Sequence, residues 1–134
     1  SRFSKDNRQS LAGFAVMGGI FGEGIDLVGE RLSGSVIVGV GLPQPSAERE
    51  LIRNYFADAM EAGFEFAYQF PGINRVFQAA GRVIRTAEDR GVVVLIDPRF
   101  SRENYRSLYP PRWEPVRVAS DMGLADHLAR FWHG

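Results

Sequence analysis

The stretch Ser35-Val-Ile-Val-Gly-Val-Gly41 decides the fold of this chain. Its β-branched residues run without polar alternation, which is typical of a strand that is covered on both faces within a parallel sheet. Pro43 and Pro45 follow at once and stop the pairing, because proline has no N–H group to donate to a neighbouring strand. Val92 to Asp97 (VVVLID) is a second apolar run of this kind, and we predict that both runs are buried strands.

Helical patterns separate the predicted strands. We predict a first helix that begins at Ser46, whose hydroxyl suits an N-cap, and ends at about Ala62. A turn is predicted at Pro71-Gly72, after which Asn74 to Arg90 has the apolar spacing of a second helix. The other predicted segments are a buried strand from Gly13 to Phe21, an ordered loop from Gly22 to Gly34, a strand from Pro115 to Ala119 and a helix from Leu124 to Trp132. This alternation predicts one α/β domain, in which helices flank a parallel sheet.

The composition excludes several kinds of site. The 134 residues include no cysteine, so disulfides, thiol catalysis and Cys-ligated zinc or iron–sulfur clusters are excluded from this chain. With two histidines and no H-E-x-x-H pattern, we also predict no metal site built by the protein. No apolar run approaches the roughly 20 residues that a membrane-spanning helix needs, and Ser1 to Ser10 is too polar for a signal peptide. We therefore expect a cytoplasmic protein with no membrane partner.

The formal charge is balanced, with sixteen Lys and Arg residues against sixteen Asp and Glu residues. A free-standing nucleic-acid binder usually has a basic excess, because neutralising phosphates supplies most of its affinity. Any contact with DNA must therefore be local or shared with a partner domain.

The second predicted helix carries a row of polar donors. They are spaced by three, four and three residues, which places them on one arc of a helix: Arg75, Gln78, Arg82 and Arg85. The opposite side is apolar and consists of Phe77, Ala80, Val83 and Ile84. The row is either a solvated face whose arginines pair with neighbouring acids, or an anion site, since guanidinium groups suit phosphoryl oxygens. Spacing alone leaves both interpretations open.

Three runs resemble the XPD/DinG (Rad3-like) branch of superfamily 2 DNA helicases. Gln78 to Arg85 (QAAGRVIR) resembles motif VI, and Gly19 to Asp26 (GIFGEGID) resembles motif V of that branch. Leu95 to Phe100 (LIDPRF) is similar to the strand that comes after motif VI. The resemblance covers the chain from about Gly13 to Tyr109. One departure is Gly22, which stands where many relatives have a bulky aromatic side chain.

The resemblance implies a RecA-like fold and a role for motif VI in ATP hydrolysis. In this family two RecA-like domains close on ATP, and the second domain reaches across the cleft with motif VI. Arg85 would then be the arginine finger near the γ-phosphate, with Arg82 beside it and Gln78 contacting the nucleotide or the attacking water. Such a finger stabilises charge in the transition state.

For motif V the resemblance implies contacts to both ATP and DNA. Glu23, Gly24 and Asp26 would bind ATP or couple its hydrolysis to movement, while Gly19 and Gly22 would allow close approach of DNA. A capping or loop-ordering role remains the alternative for Glu23 and Asp26.

The family's phosphate loop, D-E-A-H-like box and cluster cysteines belong to its first RecA-like domain, and none of these motifs occurs here. The resemblance therefore implies that residues 1–134 are the second domain, truncated on its N-terminal side and unable to hydrolyse ATP alone. ATP and Mg²⁺ would be bound jointly with the first domain of the same polypeptide, and single-stranded DNA would be the other partner. Unwinding would run 5′→3′, and an iron–sulfur cluster is possible in the parent protein. The alternative is a non-catalytic platform that binds DNA or protein.

Two further features have competing interpretations. Asp97 and Arg99 either line a ligand cleft at the carboxyl end of a strand or form a local ion pair, which we favour. Alternate aromatic side chains before the second helix could stack on bases, but packing within the protein is favoured: Phe64, Phe66, Tyr68 and Phe70.

Overall fold

A parallel pair of strands with helices packed against it forms the centre of the fold. The computed structural model describes residues 9–19, 32–84, 86 and 88–134. Within these ranges β1, Gly34–Val38, pairs with β2, Val92–Ile96, and Ile37 lies opposite Leu95. The other elements, in chain order, are α1 (Ala47–Met60), a π-helix (Glu65–Gln69), α2 (Phe70–Ala80), a 3₁₀ helix (Pro98–Ser101), α3 (Glu103–Arg106) and α4 (Asp121–His133). The prediction of a parallel sheet flanked by helices is confirmed.

The core lies on one face of this sheet. Ile37 packs there with residues of α2 and of the segment after β2, which are all buried: Ile73, Val76, Ala80, Phe100 and Tyr105. On the other face Val36 is 62% exposed and Val38 is 69% exposed. The prediction that this strand is covered on both faces is therefore wrong in the described part of the chain, because successive residues of a strand point to opposite faces and the core covers one.

The terminal helix α4 covers part of the second face. Leu128 and Trp132 of α4 and Val36, Val92 and Val94 of the sheet line a cleft of about 230 Å³ between them. The predicted terminal helix is confirmed, although it begins a few residues earlier than expected, after Ser120, whose hydroxyl accepts a hydrogen bond from the Gly123 N–H at 3.1 Å.

The first predicted helix is confirmed as α1. The Ser46 hydroxyl accepts a hydrogen bond from the Arg49 N–H at 3.2 Å, which satisfies one of the unpaired donors at the helix start. The helix ends at Met60 because Glu61 takes a left-handed conformation, with φ of 55°.

The second predicted helix differs from α2 at both ends. Pro71-Gly72 is not a turn but part of the first turn of α2, which follows the π-helix directly, and the fixed φ of proline, about −65°, suits a helical backbone. At the other end, the N–H groups of Arg82 and Val83 bond the carbonyls of Ala79 and Ala80. These three-residue bonds close a turn, so the helix stops at Ala80 instead of continuing to Arg90.

Two predicted strands are not formed in the described part of the chain. Residues 13–19 of the strand predicted from Gly13 to Phe21 are not extended into a ladder; Phe14 is 99% exposed, and the chain turns where the Gly19 N–H bonds the Val16 carbonyl at 3.1 Å. Residues 115–119 are likewise irregular and mostly exposed. A strand needs a neighbouring strand to satisfy its backbone groups, and an apolar run does not show whether one is there.

A backbone contact joins the loop after β1 to α2. Gly41 has φ of +68°, and a Cβ placed on it would lie 2.7 Å from the Gly72 carbonyl oxygen. A Cβ placed on Gly72 would lie 2.7 Å from the Val40 carbonyl oxygen. Since real Cβ atoms do not approach a carbonyl this closely, the loop and the helix can meet here only because both residues are glycine.

An ion pair fixes the chain where it leaves β2. The Asp97 carboxylate accepts hydrogen bonds from the Arg99 backbone N–H at 2.8 Å and from the Arg99 guanidinium at 3.0 and 2.8 Å. The bonds from Arg99 hold the pKa of the Asp97 carboxyl below its usual value. The interpretation as a local ion pair is therefore confirmed.

Alanine substitutions at two glycines separate the contribution of the backbone contact from that of backbone conformation. Gly39 has φ of +85°, but no described atom lies within 4 Å of a Cβ placed there. We expect Gly39→Ala to lower the free energy of unfolding by about 1–2 kcal/mol, the cost of a left-handed backbone. Gly41→Ala should lose about 1–3 kcal/mol more, because the added methyl meets the Gly72 backbone. Denaturant titration of both variants measures the difference, and equal losses would contradict the close contact.

Replacing the carboxylate of the ion pair should give a pH-dependent loss of stability. The pKa of the Asp97 carboxyl is lowered in the folded state. The ionised carboxylate therefore stabilises the fold fully above its unfolded-state pKa of about 3.9, and this stabilisation is lost as the pH falls through the folded-state pKa. We expect Asp97→Asn to be less stable than wild type at neutral pH, with a difference that shrinks on acidification. Asp58→Asn, at an exposed position of α1, is the matched control. If the difference in free energy of unfolding between wild type and Asp97→Asn stayed constant down to strongly acidic pH, the ion pair would be contradicted.

Candidate functional site

The polar side of α2 is the candidate site. Gln78 is exposed, and Arg75 and Arg82 are half-buried. Arg75 and Gln78 lie on the helix, three residues apart, whereas Arg82 lies in the turn after Ala80. The structure therefore confirms a shared helical face for Arg75 and Gln78 and places Arg82 beyond the end of the helix.

The apolar side of α2 is held by the core, as predicted, up to Val83. Ala80 and Val83 are buried, and Phe77 packs edge-on against Trp113 with ring centroids 5.4 Å apart. Ile84, by contrast, is 49% exposed. The helical spacing that assigned Ile84 to the apolar side no longer applies once the helix has ended.

Tyr109 and Trp113, which the sequence patterns did not single out, pack against Phe77 on the apolar side of α2. The Tyr109 ring lies 6.3 Å from Phe77 and 5.8 Å from Trp113, measured between ring centroids. The Tyr109 hydroxyl donates to the Phe100 carbonyl at 2.9 Å, which ties this aromatic cluster to the segment after β2. Their only signal in the sequence was the position beside Pro110-Pro111, which says nothing about the helix they contact.

The start of motif V lies beside α2. A Cβ placed on Gly18 would lie 3.5 Å from the Arg75 Nε and 3.7 Å from its Cζ, so the guanidinium faces the turn that ends at Gly19. Gly19, which was predicted to approach DNA, is half-buried in this turn. The structure thus brings the beginning of motif V next to the helix that opens motif VI.

Several predicted site residues lie outside the described residues. These are Gly22, Glu23, Gly24 and Asp26 of motif V and Arg85 of motif VI. Their roles stay predictions.

The remaining candidate side chains, the Asp97–Arg99 pair and the aromatic residues before α2, make hydrogen bonds or ring contacts within the protein. Asp97 and Arg99 bond each other, at the carboxyl end of β2. The Phe66 ring stacks on Phe56 of α1 with centroids 4.0 Å apart, and Tyr68 is buried with its hydroxyl bonded to the Glu50 carboxylate. The preference for protein packing over base stacking is confirmed for these two rings.

In the described ranges no group of three or more His, Cys, Asp and Glu side chains is placed to hold a metal ion. Nor is any helix there long and apolar enough to cross a membrane. The cytoplasmic location stays a prediction.

Comparison with known proteins identifies the family. Residues 1–116 match the family described as "Helicase C-terminal domain". The chain is 32% identical over 109 residues to the ATP-dependent DNA helicase chl-1 of Caenorhabditis elegans, covering 79% of this chain and 13% of that protein. It is 29% identical over 126 residues to the general transcription and DNA repair factor IIH helicase subunit XPD of Arabidopsis thaliana, covering 87% and 16%. It is 33% identical over 119 residues to the regulator of telomere elongation helicase 1 of Homo sapiens, covering 81% and 10%.

The chain thus spans 10–16% of the length of these relatives. The family match extends over most of the chain, including the motif V and motif VI runs and β2. The parallel sheet with flanking helices agrees with the RecA-like α/β fold. The chain belongs to the helicase C-terminal domain family, in its XPD/DinG (Rad3-like) branch of superfamily 2.

Proposed function

We propose that this chain is part of the motor of an ATP-dependent DNA helicase, and that it is the second RecA-like domain that supplies the arginine finger. One observation carries the proposal: α2 packs its apolar side into the core and leaves Gln78 of motif VI exposed on the other side, with Arg82 in the turn that follows the helix. A helix that is fixed in this way holds its polar groups in place before a ligand arrives. The relative that is named an ATP-dependent DNA helicase supports the same activity.

In this proposal the motif VI residues act on the nucleotide from across a domain interface. Arg85 is the finger, and its guanidinium stabilises the charge that develops on the transferring phosphoryl group. Arg82, whose backbone is held in the turn by its bond to the Ala79 carbonyl, lies beside the finger. Gln78, four residues earlier and on α2, contacts the nucleotide or the attacking water. A finger that engages only when two domains close links hydrolysis to movement.

The remaining parts of the motor belong to the same proposal. ATP with its Mg²⁺ is bound jointly with the first RecA-like domain of the same polypeptide; Mg²⁺ in such sites is held largely through substrate phosphates. Glu23, Gly24 and Asp26 connect the nucleotide to the DNA, and Gly19 and Gly22 allow the backbone to approach single-stranded DNA. Unwinding runs 5′→3′, and an iron–sulfur cluster, if the parent protein has one, is held outside this chain.

Removing the finger should stop catalysis and leave DNA binding. In the parent protein we expect Arg85→Ala to lower DNA-stimulated ATP hydrolysis by about 10³–10⁵-fold, because the finger acts on transition-state charge. Affinity for single-stranded DNA should largely survive. Arg112→Ala, which removes an exposed arginine outside both motifs, is the control and should keep wild-type turnover. Wild-type turnover in Arg85→Ala would remove the finger assignment.

The isolated chain should be inactive and should bind DNA weakly. We expect no ATP hydrolysis from residues 1–134, since the phosphate-loop motif is absent from this sequence. Binding to single-stranded DNA should be weak, with a shallow dependence on salt, because the formal charge is balanced and few phosphates are neutralised. A phosphate-release assay measures hydrolysis, and fluorescence anisotropy over a range of salt concentrations measures binding. Tight binding at physiological salt would instead support the alternative of a non-catalytic binding platform.

A further inference from the structure

Arg75, on α2, lies beside two other segments, the loop after β1 and the turn that leads into motif V. The predicted roles of motif V and motif VI do not explain this position. Arg75 comes three residues before Gln78 and is half-buried. Its Cβ lies 3.6 Å from a Cβ placed on Gly41, in the loop after β1. Its guanidinium faces Gly18, in the turn that leads into motif V. The Arg75 side chain therefore connects α2 with the loop after β1 and with the turn that leads into motif V.

The turn that Arg75 faces has little else to hold it among the described residues. Phe14 and Val16 before it are 99% and 80% exposed, and Met17 is the residue that packs against the core. Gly18 has φ of +78°, a conformation that glycine adopts at low cost. The backbone bond from the Gly19 N–H to the Val16 carbonyl closes the turn, and the flat guanidinium lies next to it.

None of the described carboxylates lies within ion-pair distance of Arg75. In the described part of the chain its guanidinium is therefore not held by an acidic side chain, and it lies beside Gly18. An arginine that is half-buried with donors in a fixed fork can orient a neighbouring backbone more sharply than a lysine can.

From these contacts we propose that Arg75 is a positioning residue: it holds the turn at residues 17–19 against α2 and so sets motif V relative to motif VI. This inference rests on the proposed helicase function. Arg75 does not touch the reacting atoms. It acts through the motif V segment: by fixing the position of motif V relative to motif VI, it keeps DNA that is bound by motif V at a fixed position relative to the arginine finger. Its loss uncouples DNA binding from ATP hydrolysis and leaves each partly intact.

The test uses the full parent protein with substitutions at one position. Arg75→Met keeps the aliphatic stem and removes the guanidinium, while Arg75→Lys keeps the charge and removes the fork. Asn74→Ala, at the neighbouring exposed position of α2, is the matched control. Amide hydrogen exchange at the Gly19 N–H reports whether the turn is held. ATP turnover with and without single-stranded DNA reports coupling, and thermal unfolding reports stability.

We expect amide exchange at Gly19 to rise in Arg75→Met, and the stimulation of ATP turnover by DNA to fall by about 10–100-fold, as displacement of a positioned group does. Arg75→Lys should recover part of the stimulation, and Asn74→Ala should change neither exchange nor stimulation. Raised exchange at Gly19 with an unchanged unfolding temperature distinguishes positioning from packing, because loss of packing would lower the thermal stability as well.

Several results would overturn the proposal. Unchanged exchange at Gly19 would show that Arg75 does not hold the turn, and raised exchange with unchanged stimulation would show that the turn does not set coupling. A fall in all activities that parallels thermal stability would make Arg75 a packing residue. If the parent protein has no ATPase activity even with Arg85 in place, the proposed function fails, and the exchange measurement still decides the contact between Arg75 and the turn.

Discussion

The close approach of two backbones at Gly41 and Gly72 is the constraint on which the rest of this structure depends. A side chain on either residue would lie 2.7 Å from a carbonyl oxygen of the other segment. Because neither residue has one, the loop after β1 meets the first turn of α2 directly, and the strand and helix are held in one orientation. That orientation places Ile73, Val76 and Ala80 in the core beside the sheet. The polar side of α2 faces away as a consequence, so a backbone contact determines where Arg75 and Gln78 are presented.

Two sets of polar groups have different roles here: the Asp97–Arg99 pair holds the chain locally, and the polar side of α2 is the candidate site. Asp97 and Arg99, at the end of β2, satisfy each other with three hydrogen bonds, so their charges stabilise the chain locally. Phe77 of α2 packs in an aromatic cluster with Tyr109 and Trp113. Groups that act on a ligand must be held by their surroundings, because hydrogen-bond donors stabilise a transition state most when they need not reorganise. The packed side of α2 meets that requirement.

Local signals in the sequence predicted much of the fold because their causes are local. The Ser46 cap and the alternation of helices with apolar strands depend on neighbours along the chain, and both were confirmed. The turn predicted at Pro71-Gly72 was wrong, because proline and glycine suit the first turn of a helix as well as a loop, and a π-helix leads straight into α2. The strand predicted from Gly13 was wrong in its described part, since an apolar run does not reveal whether a neighbouring strand exists.

The sequence by itself determined the family, the two parallel strands and the presence of a polar row opposite an apolar one, because motif letters and hydrophobic spacing are properties of the chain. Only the tertiary structure decided that α2 ends at Ala80, which moves Arg82 into a turn and away from the helical row that its spacing implied. Only the tertiary structure placed Arg75 beside Gly18, more than fifty residues away in the chain. Contacts of this range depend on how strand, loop and helix pack together, and no local pattern encodes them.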